Sequence, residues 1–330
     1  SGVVYKGAPH ITHINVNPKV SKKPEDLVTA TKVYVNLAEP ELASQVAVKN
    51  CDGVGLLRAE FMMSGIGVHP KKAIHDKKSV EYTNNLADGM FSFAKAFYPR
   101  PVIYRASDFK TNEYRNLIGG DAFEPQESNP MLGYRGSFRY ISDPAVFNLE
   151  LDAIKKIRKF GLNNLHLMVP FVRNVPELVQ VRRIVSKSGL FRDSDFKFYM
   201  MAEIPSNVIM LEEFIKVGID GISIGSNDLT MLILGTDRDN ETVAKDYSEL
   251  DPAVLWALEK LIKTANKHKI TAGICGQAPS FYPELTKMLV EWGVSSVSVT
   301  PDVIDLTRQV VSDAEKSFIN SKLKKKYGHN

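Results

Sequence analysis

The chain has 330 residues, 44% of them hydrophobic, with two cysteines and a formal net charge of +4. A chain of this length buries one large core or two smaller ones. It contains no run of about 18 apolar residues and no charged-then-apolar leader at its N-terminus, so we predict no membrane span. The modest charge suits anionic small molecules rather than nucleic acid. Two cysteines far apart, Cys51 and Cys275, make no disulfide framework and predict a reducing cytoplasm.

Residues 1–27 are polar and contain three prolines but no sustained hydrophobic period, so they are predicted to form a linker or arm. Residues 28–330 are predicted to form one folded domain, in which short apolar runs alternate with amphipathic helical stretches. The predicted strands are VYVNL from Val33, GVGLLR from Gly53, VIYRAS from Val102, HLMVPF from His166, FKFYMMAEI from Phe196, GISIGS from Gly221, TAGIC from Thr271 and SVSVT from Ser296. Continuously apolar runs of this kind are typical of parallel strands that are buried on both faces.

Helix boundaries are also visible in the sequence. The pairs Asp143-Pro144, Asp251-Pro252 and Thr300-Pro301 each predict an N-cap followed by proline in the first helical turn. Gly161 is predicted to end the helix that precedes it. Eight strands, each followed by a helix, predict an α/β fold of the (β/α)8 TIM-barrel type, which takes about 250 residues. A doubly wound open sheet is the alternative, because periodicity does not show whether a sheet closes.

Polar residues gather just past the predicted strands. In a (β/α)8 barrel these positions line the active site. They hold Arg58, Arg105, Glu203, the group Ser226-Asn227-Asp228, and Cys275. Because charged groups are costly to bury unless they are paired or bound to a ligand, this set predicts an anionic ligand together with a cation.

The two carboxylates, Glu203 and Asp228, follow neighbouring predicted strands. Since adjacent strands lie about 4.8 Å apart, both carboxylates could reach one ion. Oxygen ligands with open positions suit Mg²⁺ or Mn²⁺ rather than zinc. Two separate carboxylates, each paired with an arginine, would explain the same residues.

The strand-end arginines and the thiol each allow two interpretations. An arginine guanidinium can form two parallel hydrogen bonds to a carboxylate or phosphate group. Arg58, Arg105 and Arg135, the last in the loop NPMLGYRG, could each bind a ligand in this way. A strand-end arginine is, however, also commonly structural. Cys275 follows Gly273 and precedes Gly276. It is either a small buried packing residue or a reactive thiol that substrate approaches closely.

Five motifs resemble the C-terminal barrel of the phosphoenolpyruvate-utilising enzymes, a family that includes pyruvate phosphate dikinase, phosphoenolpyruvate synthase and Enzyme I of the sugar phosphotransferase system. The motifs are GVGLLRAEFMM, NPMLGYRG, MAEIPS, SIGSNDLTMLILGTDRDN and AGICGQAPS. The resemblance covers residues from about 31 to 315 in order. Within the family, the segment from Ser107 to Gly136 is most similar to phosphoenolpyruvate synthase.

The resemblance implies roles for individual residues. Glu203 and Asp228 are expected to bind Mg²⁺, for which Mn²⁺ could substitute. Cys275 is expected to exchange a proton with C3 of the pyruvate enolate. The expected contacts to pyruvate and phosphoenolpyruvate come from Arg58, Arg105, Arg135, Ser226, Asn227 and Arg238.

The resemblance also implies partners. A complete enzyme of this kind needs an ATP-binding domain and a domain whose histidine carries the phosphoryl group, and residues 1–27 look like the linker that follows the second of these. A homodimer is also expected. Alternatives are a barrel of the dikinase or Enzyme I type, or a binding or dimerisation module without turnover.

Overall fold

The computed structural model describes residues 27–327, with side chains through residue 324. The predicted arm over residues 1–27 therefore lies outside the described residues, except for Leu27. Eight parallel strands form a closed barrel in chain order. The strands are β1 (Lys32–Leu37), β2 (Val54–Arg58), β3 (Val102–Arg105), β4 (Leu165–Val169), β5 (Phe198–Ala202), β6 (Gly221–Ile224), β7 (Thr271–Ile274) and β8 (Ser296–Val299). Because β8 pairs with β1 along the Lys32–Val35 register, the predicted barrel is confirmed and the open sheet is excluded.

Helices follow the strands and surround the barrel. They are α1 (Ala43–Ala47), α2 (Ala59–Ile66), α3 (Pro70–His75), α4 (Ser79–Phe97), α5 (Thr111–Tyr114), α6 (Ser137–Ser142), α7 (Pro144–Lys159), α8 (Val175–Ser188), α9 (Pro205–Ile209), α10 (Leu211–Lys216), α11 (Ser226–Leu234), α12 (Pro252–Lys267), α13 (Ala278–Phe281), α14 (Pro283–Trp292) and α15 (Ile304–Tyr327). No helix among the described residues is long and apolar enough to cross a membrane.

Two of the three predicted N-caps are confirmed. The Asp143 side chain accepts from the N–H two residues on at 3.1 Å, and Asp251 does the same at 2.8 Å. Gly161, at φ +85°, follows the end of α7 as predicted. The N-cap predicted at Thr300 is wrong, because α15 begins only at Ile304. The Thr300 carbonyl instead accepts from Val303 in a turn, which delays the start of the helix.

The core has two parts. The larger part packs the outward-facing side chains of the strands against the helices. Cys51 belongs to it, as a packing residue. The smaller part fills the barrel interior and consists of Leu56, Ile103, Met168, Met201 and Cys275. Cys275 therefore lies at the boundary between the apolar interior and the C-terminal mouth.

Candidate active site

A cavity of about 630 Å³ opens at the C-terminal ends of the strands. Eight of the nine predicted site residues line it, namely Arg58, Arg105, Arg135, Glu203, Asn227, Asp228, Arg238 and Cys275. These side chains lie close together because the carboxyl ends of parallel strands, and the loops that follow them, are all at the same end of the barrel. Ser226 is the exception and is described below.

Arg58 lines the cavity with a guanidinium that is available to a ligand. It ends β2 and forms no hydrogen bond or ion pair with another described residue. Burial, with a contribution from the nearby charge of Arg105, lowers the pKa of Arg58 from its ordinary value. A partly buried guanidinium without a protein partner favours an anionic ligand.

Arg105 ends β3 and is held by two carboxylates that the sequence analysis did not identify. Its Nη2 lies 3.0 Å from Glu60 Oε2, and its Nη1 lies 3.8 Å from Asp108 Oδ2. The Asp108 N–H also donates to Glu60 Oε1 at 2.6 Å. Each carboxylate follows a strand-end arginine by two or three residues, and this spacing is the signal that could have revealed them.

Arg135 is buried and committed to acidic side chains. Its guanidinium donates to both Asp108 oxygens, at 3.1 and 2.6 Å, and to Asp228 Oδ2 at 3.1 Å. Arg135 lines the cavity, but most of its donors are used within the protein. Its main effect is therefore to hold and partly neutralise Asp228.

Glu203 is the buried carboxylate of the site. It is 2% exposed and forms no ion pair among the described residues, while its Oε1 accepts from the Phe171 N–H at 2.7 Å. Burial, and then the charge of Asp228, raise the pKa of Glu203 well above its ordinary value. A Cβ placed on Gly225 would lie 2.7 Å from Glu203 Oε2, so this glycine leaves room beside the carboxylate.

The carboxylate oxygens in the cavity suit a hard cation that takes only some of its ligands from the protein. Among the described residues, no group of three or more His, Cys, Asp or Glu side chains could hold a metal. Glu203 is buried and Asp228 is half-buried, and a cation bound to both would relieve the repulsion between their charges, which contributes to the raised pKa of Glu203. Mg²⁺ is commonly held by one or two carboxylates, with water and substrate oxygens completing its shell, so the residues fit this ion.

Asn227 and Ser226 lie at the start of α11 but have different surroundings. Hydrogen bonding orients the Asn227 amide so that its oxygen accepts from Arg238 Nη1 at 2.8 Å and its nitrogen donates to Glu249 at 3.2 Å. Ser226 is fully buried and donates to Glu249 at 2.5 Å. The structure therefore does not bring Ser226 to the cavity. Glu249, which lies far along the chain with no motif around it, connects the two residues.

Cys275 is 3% exposed and lies at the floor of the cavity. Burial, with a further contribution from Glu203, raises the pKa of the Cys275 thiol to about 11, although a Ser223 hydrogen bond and two arginine charges oppose the shift. The raised pKa favours the protonated thiol at neutral pH.

The glycines on either side of Cys275 have a packing role. A Cβ on Gly273 would lie 2.5 Å from Ser296 Oγ of the neighbouring β8. A Cβ on Gly276 would overlap Ser226 Oγ, which follows β6 on the other side. Close packing against these serines is enough to require small residues at both positions, and Gly276 also lines the cavity beside Cys275.

Comparison with known proteins points to one family. The family model of the PEP-utilising enzymes, PEP-binding domain, matches residues 17–316. The chain is 45% identical to the probable phosphoenolpyruvate synthase of Staphylothermus marinus over 98% of its own length. It is 47% identical to the phosphoenolpyruvate synthase of Aeropyrum pernix over 90%, and 39% identical to that of Helicobacter pylori over 88%.

The chain spans 41%, 37% and 39% of the lengths of these three relatives. It therefore corresponds to one part of each of them. From the match over residues 17–316 and these identities, the chain belongs to the PEP-utilising enzymes, of which it carries the PEP-binding domain.

Proposed function

We propose that this barrel is the C-terminal catalytic domain of a phosphoenolpyruvate synthase. In that reaction a phosphoryl group passes from a phosphohistidine to the enolate oxygen of pyruvate, giving phosphoenolpyruvate. The observation that carries the proposal is the convergence in one cavity of Arg58, which has no partner among the described residues, the carboxylates of Glu203 and Asp228, and the Cys275 thiol. The names of the relatives favour this activity over the dikinase and Enzyme I alternatives.

The cationic side chains account for binding of a ligand that has two anionic groups, a carboxylate and a phosphoryl group. Arg58 is available to phosphoryl or carboxylate oxygens, and Arg105 presents its charge from the next strand while Glu60 fixes its orientation. Arg238 reaches the cavity from its rim and orients Asn227. Preorganised donors of this kind stabilise charge that develops on an enolate oxygen.

Glu203 and Asp228 would hold Mg²⁺, whose charge would stabilise the enolate and orient the phosphoryl oxygens. The chain's own residues supply the rest of the arrangement. Arg135 keeps Asp228 in place at 3.1 Å, and the Phe171 N–H fixes one oxygen of Glu203.

Cys275 would move the proton at C3. In the direction of phosphoenolpyruvate cleavage, a protonated thiol is the form that donates to the enolate carbon. In the direction of synthesis, the thiolate must accept a methyl proton of pyruvate, and the nearby charges of Arg58 and Arg105 favour the thiolate. The apolar floor of the cavity keeps water from competing for that proton.

The phosphohistidine and ATP-binding functions, the homodimer and the cytoplasmic location remain predictions. The proposed reaction requires a phosphoryl donor, which the relatives' greater length could supply. Sedimentation of the purified chain tests the homodimer.

Titration calorimetry of phosphoenolpyruvate, with and without Mg²⁺, tests the proposed ligands. Glu203→Gln and Asp228→Asn should each abolish the Mg²⁺-dependent part of binding, because each removes an anionic oxygen ligand from a two-carboxylate site. Glu213→Gln removes one charge from the exposed surface, where Glu213 pairs with Lys216, and should leave binding unchanged. If both cavity variants keep the wild-type Mg²⁺ dependence, the metal assignment is wrong.

A further inference from the structure

Phe171 has an unusual backbone conformation beside the cavity. It lies two residues past the end of β4, is 1% exposed and has φ +47°. Two other non-glycine residues among those described have positive φ, Lys77 and Lys269, and both are exposed residues just after helix ends. That setting is common for left-handed residues, whereas a buried phenylalanine in this conformation costs on the order of 1–3 kcal/mol and indicates a local function.

The backbone of Phe171 contacts one of the two candidate metal ligands. Its N–H donates to Glu203 Oε1 at 2.7 Å, and both groups are buried. No donor among the described residues contacts Glu203 Oε2, which faces the space left by Gly225. The hydrogen bond therefore occupies one oxygen, while the other lies beside Gly225 of the cavity lining.

The side chain of Phe171 supports the other candidate ligand through Arg135. The Arg135 guanidinium carbon lies 3.9 Å from the centre of the Phe171 ring. The same guanidinium donates to Asp108 and Asp228. Gly136 makes room for the base of this side chain, because a Cβ there would lie 2.5 Å from Phe171 Cβ.

We propose that Phe171 is a positioning residue that sets the geometry of the Glu203–Asp228 pair. Its N–H fixes Glu203, and its ring supports the Arg135 guanidinium that donates to Asp228. One residue thus orients both carboxylates before an ion binds, and the backbone strain persists because both contacts depend on it. This inference rests on the proposed role of the two carboxylates as metal ligands.

Binding of Mn²⁺, followed by the electron paramagnetic resonance of the free ion, tests the proposal. Phe171→Leu keeps the Cβ and the apolar volume but removes the ring, and should raise the Mn²⁺ dissociation constant roughly tenfold, as expected for loss of a desolvated cation–π contact. Phe171→Tyr retains the ring and should stay within about threefold of wild type. If Phe171→Leu does not fold by circular dichroism, Phe171→Met replaces it as the ringless variant.

Phe198→Leu is the matched control, because Phe198 is equally buried but packs against Phe191 at the start of β5, away from the cavity. It should lower the unfolding temperature and leave the Mn²⁺ dissociation constant unchanged. Unchanged Mn²⁺ affinity in the ringless Phe171 variant, or equal weakening in Phe198→Leu, overturns the positioning role. Absence of Mn²⁺ binding by the wild type, or binding that survives Glu203→Gln, instead overturns the metal site itself.

Discussion

Replacing Glu150 with glutamine tests whether a carboxylate buried behind the active site titrates near neutral pH. Glu150 lies on α7 and is fully buried. It accepts from the Tyr104 hydroxyl at 2.7 Å and from the N–H and hydroxyl of Ser107 at 2.9 and 2.7 Å. Burial, which these neutral donors offset only in part, raises the pKa of Glu150 to about 7. Since Ser107 precedes Asp108, which holds Arg135, this carboxylate fixes a loop of the site.

The raised pKa of Glu150 determines how its contribution to the free energy of unfolding depends on pH. A carboxyl group whose pKa is higher in the folded chain contributes its full stabilisation below the unfolded pKa, and this contribution is lost as the pH rises through the folded pKa. For a shift from 4.5 to about 7, the loss between pH 5 and pH 8 is about 2 to 3 kcal/mol. Glutamine does not titrate, so the free energy of unfolding of Glu150→Gln, relative to wild type, should rise by this amount over the same interval.

Urea unfolding at pH 5 and pH 8, followed by circular dichroism, measures the change. The comparison of the two proteins at both pH values cancels the titration of all other groups. Asp152→Asn, on the same helix, is the control, because Asp152 is exposed and forms a surface ion pair with Lys155, whose loss should change the free energy of unfolding by less than about 1 kcal/mol. A difference between wild type and Glu150→Gln that stays constant, or moves in the opposite direction, refutes the reasoning. Infrared spectra should also lose a protonated-carboxyl band in Glu150→Gln.

Three further predictions concern the cavity. Arg58→Lys and Arg105→Lys should each weaken phosphoenolpyruvate binding about tenfold or more, and pyruvate binding less, because an ammonium cannot reproduce the two-pronged fork; equal weakening for both ligands in calorimetry would indicate carboxylate recognition instead. Cys275→Ser should suppress the exchange of pyruvate methyl protons in D₂O with Mg²⁺, measured by proton NMR, while leaving pyruvate binding intact, and exchange at the wild-type rate would remove the thiol from the mechanism. Gly276→Ala should lower the free energy of unfolding by about 1–3 kcal/mol, because its Cβ overlaps Ser226; unchanged urea unfolding would contradict the packing role.

Several of the residues that were predicted from the sequence lie at the end of a recognisable strand or directly after it. Continuous apolar runs identify parallel strands buried on both faces, and in a closed barrel the next residue must lie at the mouth. Arg58, Glu203 and Cys275 were found in this way. Closure itself depends on the pairing of β1 with β8, which periodicity alone does not reveal.

The residues that could not be predicted from the sequence contact and orient other residues of the site. Glu249 meets Ser226 and Asn227 from a loop more than twenty positions away, and nothing in the local sequence marks it. Glu150 appears in the sequence as an ordinary polar position of an amphipathic helix, although it faces the barrel. Long-range contacts of this kind depend on the packing of elements, so no local pattern records them.

The glycines around Cys275 show why a motif and its physical cause must be separated. Glycine beside a thiol suggests open access for substrate, but Gly273 and Gly276 face serines on or just after the two neighbouring strands. Close packing of β7 explains both glycines without reference to a ligand. What places the thiol in the cavity is its position one residue past the end of β7, above the apolar floor formed with Leu56 and Met201. The strand end, and not the glycine content, is therefore the feature that indicates a function for Cys275.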